Sequence, residues 1–169
     1  MIVRVPDIGS EGLSVTEAAA LGSVYRDPTW RLDGVNLHLE RDGIDVFVTG
    51  EVRAAVSQVC GRCLEPSPVE VTVAIDVRLV PRPATADTVE LAPDDLDVDF
   101  YKKDEIDVGA LIETETALAL PMKPLCREGC LGLCPVCGGN RNLVQCTCQQ
   151  RPPDPRLAVL KDLATRLPR

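Results

Sequence analysis

Aromatic residues fill only 3% of the 169 positions, and His38 is the single histidine. The first scarcity means that a core must be assembled from Val, Leu, Ile and Ala, in a chain that is nonetheless 45% hydrophobic. The second removes whole classes of chemistry. One histidine at these spacings allows no Ser/His/Asp set and no His-based open zinc site, and no phosphate-cradling glycine loop is present. His38 lies in the alternating run Leu37-His-Leu39, the setting of an exposed or core-edge strand histidine. No apolar run approaches the roughly 18 to 20 residues that span a bilayer. Met1-Ile-Val-Arg-Val-Pro6 has no basic segment followed by an apolar stretch and cleavage site. These absences lead us to expect a cytoplasmic protein with no membrane span and no small-molecule substrate.

Cysteine is what the chain does have, eight times. In a reducing compartment, cysteines at this density are metal ligands or redox groups before they are a disulfide framework. Charge is also unevenly placed. Residues 1–120 hold ten Lys/Arg against 23 Asp/Glu, whereas residues 121–169 hold eight against three, within a net charge of -8. A basic tail behind an acidic body is a pattern of chains that meet an anionic partner. A zinc ion held by four thiolates contributes a charge of about -2, however, which offsets part of the tail's surplus.

The length suits one domain, or one domain with a small appendage. From Gly34, Val35, Leu37 and Leu39 alternate with polar neighbours. Arg41-Asp42-Gly43 then reads as a turn, and Ile44, Val46 and Val48 alternate again, which predicts a β-hairpin. Residues 44–59 and 69–80 are Val- and Ile-rich at a period of two and predict long strands with one buried face. A Pro- and Asp-rich connection follows over Pro81 to Asp97. The acidic cluster of Asp94, Asp95, Asp97 and Asp99 reads as a solvated loop and only weakly as a calcium site. Asp107 is placed to cap a helix bearing Val108, Leu111, Ile112, Leu118 and Ala119 on one face, stopped by Pro121. A last helix is expected from Asp154-Pro155 through Leu157, Leu160, Leu163 and Leu167. The expected fold class is α+β: an antiparallel β-rich domain over residues 1–121 with a covering helix, then a C-terminal zinc knuckle and helix over residues 122–169 packed on the first part.

Two cysteines separated by two residues can turn their sulfurs to one metal. Cys60-Gly-Arg-Cys63 does so on the turn between two strands, and Cys134-Pro-Val-Cys137-Gly-Gly does so where glycines let backbone N–H groups swing toward the thiolates. Residues 122–150 are too poor in large apolar groups to hold a core without a cross-link. The simplest division assigns Cys60, Cys63, Cys126 and Cys130 to one ion and Cys134, Cys137, Cys146 and Cys148 to another, two Zn²⁺ per chain. Exchanging Cys130 with Cys134, or leaving Cys146 as a free thiol, are alternatives that spacing leaves open. A dithiol redox centre fits less well, because Cys60 and Cys63 do not start a helix after a βαβ unit. An iron–sulfur cluster also uses four cysteines, and spacing does not exclude it. Closed tetrathiolate zinc leaves no position for substrate or water, so such sites are structural and the chain is read as no enzyme.

The ordered combination of Val59-Cys-Gly-Arg-Cys-Leu-Glu-Pro66, Ile106-Asp-Val-Gly-Ala-Leu-Ile-Glu-Thr-Glu115, Leu118-Ala-Leu-Pro-Met-Lys-Pro124, Cys130-Leu-Gly-Leu-Cys-Pro-Val-Cys-Gly-Gly-Asn140 and Asp154-Pro-Arg-Leu-Ala-Val-Leu160 resembles the YceD family over residues 30–165. The resemblance implies a role in accumulation of large-subunit ribosomal RNA, through its synthesis, processing or stability, and in ribosome assembly. It also favours the simple division, since some relatives lack the segment matching Cys134 to Cys148 yet keep the CxRC turn and metal-capable residues near Cys126 and Cys130. The partner would be a ribosomal RNA precursor or a basic ribosomal protein. The tail residues Lys123, Arg127, Arg141, Arg151, Arg156 and Lys161 would then serve the phosphates. The alternative is a thiol-redox or metal-handling protein using its CxxC pairs.

Overall fold

The computed structural model describes residues 1–82 and 98–149. The expected helix over 154–167, the basic residues Arg151, Arg156 and Lys161, and the acidic residues Asp94, Asp95 and Asp97 lie outside the described residues. The fold is α+β, with a mixed, mostly antiparallel sheet and few helices. The chain divides into two compact units, Met1–Gln58 with Ser67–Met122, and Val59–Pro66 with the chain from Lys123 on.

In the first unit, strands β1 (Ile2–Arg4) and β2 (Leu13–Val15) and a short helix α1 (Ala18–Leu21) precede the long strands β3 (Arg31–Asp42), β4 (Asp45–Val59) and β5 (Pro66–Pro81). After them come β6 (Val98–Tyr101), β7 (Glu105–Asp107) and helix α2 (Val108–Ala119). The main sheet runs β2-β3-β4-β5-β6. The hairpin of β3 and β4 closes with Asp42 opposite Asp45. Its two-residue loop is Gly43-Ile44, one position later than the sequence suggests, because Gly43 takes the φ of 62° that such a loop needs at its first residue. Alternation then buries Val35, Leu37 and Leu39 from β3 and Val46, Val48, Val52, Ala54 and Val56 from β4, without any aromatic side chain among them. Gly50 keeps that rhythm where a Cβ would collide with the Asn36 carbonyl oxygen and come 2.9 Å from the Leu37 Cα.

The sheet is not wholly antiparallel as expected: β6 pairs with β5 in parallel, Arg78 beside Val98 and Pro81 beside Tyr101. A separate two-stranded sheet joins β1 to β7, Val3 opposite Ile106. Asp107 caps α2 by accepting hydrogen bonds from the N–H groups of Gly109 and Ala110, at 3.1 and 3.2 Å. The helix sends Val108, Leu111 and Ile112 into the common core. Leu118 and Ala119, expected on that face, are exposed. The buried stripe ends at Thr116, and Ala117, Leu118 and Ala119 beyond it are exposed. Thr116 is fully buried and meets the hydroxyl of Tyr25 at 3.1 Å. Among the described residues no helix is long and apolar enough to cross a membrane.

Candidate metal centres

All eight cysteines fall in the second unit, and two of its turns repeat one backbone design. In the first, the Cys60 carbonyl accepts from the Leu64 N–H at 2.9 Å, and the Cys60 N–H donates to the Glu65 carbonyl at 2.9 Å. In the second, the Cys134 carbonyl accepts from the Gly138 N–H at 2.9 Å, and the Cys134 N–H donates to the Gly139 carbonyl at 2.8 Å. Closing each turn needs a left-handed residue just after the second cysteine. Gly138 supplies it at φ 72°, as its sequence position suggests, and Leu64 supplies it at φ 62° despite its side chain. Each turn therefore points two sulfurs to one side.

A second pair completes each set. Sulfurs of Cys60, Cys63, Cys126 and Cys130 lie within 4.8 Å of one another, and so do those of Cys134, Cys137, Cys146 and Cys148. The eight thus divide four and four, with neither an exchange of Cys130 and Cys134 nor a solitary Cys146. Cys60 Sγ to Cys130 Sγ is 3.8 Å and Cys63 Sγ to Cys126 Sγ is 3.7 Å. These are far beyond a disulfide bond of about 2.05 Å. They match the edge of about 3.8 Å that a tetrahedron with zinc–sulfur arms near 2.3 Å must have. Both tetrads could hold a metal ion. The first is well enclosed, with Cys60, Cys63 and Cys130 buried, whereas only Cys134 is buried in the second.

Four thiolates cannot crowd this closely without a cation, and the acidities follow. Backbone N–H groups of Cys126, Arg62 and Cys63 draw the Cys60 thiol down to about 6. Withdrawal from water, with the thiols of Cys130, Cys63 and Cys60, pushes Cys126 up to about 12. Burial opposes ionisation of Cys130, but the Asn142 side chain, the Gly132 N–H and two neighbouring thiols outweigh it and lower that thiol. At Cys63 the Glu65 N–H favours the thiolate but loses to burial and to the thiols of Cys60 and Cys130, so the group is raised. In the second tetrad the N–H groups of Cys137 and Val136 and the Cys146 thiol draw Cys134 down to about 6. The Cys137 thiol, then desolvation, pushes Cys148 up to about 12, and the Cys134 thiol raises Cys146. Each tetrad holds one thiol that ionises near neutral pH and another that gives up its proton only to a strongly bound cation.

Beyond the cysteines, three polar side chains hold this unit together through contacts that the cysteine spacing does not encode. Arg62, inside the first turn, donates from Nη1 to the carbonyls of Glu128 and Cys130 at 3.2 and 3.0 Å, which clamps the Cys126–Cys130 loop. Asn142 donates from Nδ2 to the Cys130 sulfur at 3.3 Å. Asn140 accepts from Asn142 and donates to a Glu65 carboxylate oxygen at 3.3 Å. Of the basic residues expected to face phosphate, Lys123, Arg127 and Arg141 are exposed, and Arg127 donates to Asn142 Oδ1 at 2.8 Å. His38 belongs to the first unit, half-buried on β3, with Nδ1 3.1 Å from the Ser14 hydroxyl.

The family described as "Large ribosomal RNA subunit accumulation protein YceD" matches residues 48–164, which include both tetrads. An uncharacterized protein of Mycobacterium tuberculosis is 36% identical, covering 62% of this chain and 49% of its own. An uncharacterized protein of Mycobacterium leprae is 33% identical, over 62% and 48%. "Large ribosomal RNA subunit accumulation protein YCED homolog 1, chloroplastic" of Zea mays is 28% identical, over 88% and 57%. The chain spans about half the length of these curated relatives. No solved structure matches it. With more than half of its residues matched by that one family, the chain belongs to the YceD family.

Proposed function

We propose that this chain is a non-catalytic, cytoplasmic zinc protein that supports the synthesis, processing or stability of large-subunit ribosomal RNA and thereby ribosome assembly. The RNA part of the reading comes from the family description and from the name of the maize relative. The observation that carries the zinc part is the pair of four-sulfur clusters, each with its sulfurs within 4.8 Å of one another, and the 3.7 and 3.8 Å separations in the first suit tetrahedral zinc. Cys60, Cys63, Cys126 and Cys130 would hold one ion, and Cys134, Cys137, Cys146 and Cys148 the other. Four thiolates leave no open coordination position, so the metal supplies cross-links to a unit with little apolar core and no chemistry on a substrate. Lys123, Arg127 and Arg141, with Arg151, Arg156 and Lys161, would meet the phosphates of a ribosomal RNA precursor, while a basic ribosomal protein is the partner that the acidic body would suit.

A thiol-redox or metal-handling role is the second reading, and the lowered pKa values of Cys60 and Cys134, about 6, are what favour it. Both sulfurs belong to buried residues, which argues against attack on an outside disulfide. The test is complementation of cells that lack the chain, reading the ratio of large- to small-subunit ribosomal RNA. We expect the unaltered chain to restore the ratio and Cys60→Ser or Cys134→Ser to fail. A ratio that the chain never alters would overturn the ribosomal reading.

A further inference from the structure

We propose that Asn142 is a positioning residue that couples the two tetrads, so that metal bound at either one strengthens binding at the other. The proposal rests on the metal-binding reading above. One side-chain amide has a fixed orientation. Asn142 Oδ1 accepts from the Leu131 backbone N–H at 2.9 Å and from Arg127 Nη2 at 2.8 Å. Two donors on one atom fix it as the oxygen, because the flipped amide would set its own N–H groups against them. Nδ2 is then aimed at the Cys130 sulfur, 3.3 Å away, and at Asn140 Oδ1, 2.8 Å away.

Asn140 belongs to the other tetrad's turn. It follows Gly139, whose carbonyl takes the Cys134 N–H, and it bridges to Leu133, the residue before Cys134. Its Oδ1 also accepts the Asn142 N–H at 3.0 Å, so the second turn sets where Asn142 stands. Its Nδ2 reaches Glu65, whose carbonyl closes the first turn on the Cys60 N–H. Ordering the Cys134–Cys137 turn therefore fixes two groups at the first tetrad: the N–H that stabilises the Cys130 thiolate and the residue that closes the Cys60 turn. Among the described residues no other uncharged side chain outside the cysteines donates to a tetrad sulfur. Coupling of two binding sites is reciprocal, so the more exposed second tetrad gains as much from the first.

The test is titration of the metal-free full chain with Co²⁺, followed by its thiolate-to-cobalt absorption. Asn142→Asp keeps both hydrogen bonds to Oδ1 and removes the donors to Cys130 and Asn140. Loss of such a partner costs about ten- to a hundred-fold in metal affinity. We expect that loss at the first tetrad and a shift of its charge-transfer band to lower energy, since the sulfur lone pair is no longer held by an N–H. We also expect two ions bound at saturation. Cys134→Ser combined with Cys137→Ser should weaken the first tetrad by a similar factor. Asn142→Ala removes all of these bonds without adding charge, and the same losses from it exclude a charge artefact. First-tetrad affinity and band unmoved by every variant, with two ions bound by the unaltered chain and by both Asn142 variants, would overturn the coupling and leave the metal reading standing. No Co²⁺ bound by the unaltered chain would overturn both.

Discussion

Leu64 and Gly138 hold the same place in the two cysteine turns: each follows the second cysteine, each donates its N–H to the first cysteine's carbonyl at 2.9 Å, and their φ angles are 62° and 72°. The left-handed conformation costs a side-chain-bearing residue about 1–2 kcal/mol, and Leu64 gains little in return because it is 63% exposed. Leu64→Gly should therefore stabilise the first tetrad by up to about 1 kcal/mol once the larger unfolded-state freedom of glycine is subtracted. Gly138→Val should weaken the second by more than about 1 kcal/mol, since a β-branched residue is least tolerated there. Chelator competition measures both, and a lower metal affinity in Leu64→Gly would contradict the account.

Metal binding should also report the uneven acidities. At pH 7.5 Cys60 and Cys134, near 6, are already thiolates, whereas Cys126 and Cys148, near 12, carry protons that metal must displace. Each centre should thus release fewer than four protons at that pH. The number should rise by about one per centre as the pH falls through 6, and affinity should decline more steeply with acid there. Calorimetry in buffers of different ionisation enthalpy counts the protons. Four per centre at both pH values would be the wrong result for this assignment.

In the first unit, Tyr25→Phe leaves the buried Thr116 hydroxyl without its partner. The expected loss is about 1–3 kcal/mol of stability. Adding Thr116→Val, which removes the stranded hydroxyl, should recover much of it. Urea unfolding of the single and double variants distinguishes this from a simple loss of packing.

Asp107→Ala removes the acceptor for two N–H groups at the start of α2 and should cost about 1 kcal/mol by the same measurement. Asp107→Asn should cost less, because Asn is also a strong N-cap. Equal losses in the two variants would mean that the cap contributes nothing.

The β3–β4 hairpin, the strand character of β5, the Asp107 cap and the start of α2 were legible because each is a local pattern: alternation, a glycine turn, an acidic residue before an apolar period. The four-and-four division was legible as the simplest option, since pairs that are close in sequence stay together. Other features depend on contacts between distant segments that no local pattern encodes. Parallel pairing of β6 on β5 and the three-residue match of β1 with β7 are of this kind. The exposure of Leu118 follows from where the core stops and not from its own spacing. The roles of Arg62, Asn140 and Asn142 depend on the direction of single amide and guanidinium groups, to which residue type gives no clue.

The central claim is that two closed tetrathiolate zinc centres build the cysteine-rich unit. Its most direct test is the zinc and iron content of the folded chain, purified without added metal or chelator, together with a count of reactive thiols. The account predicts about two zinc ions, no iron and no reactive thiol. Metal-free protein with several reactive thiols would contradict it.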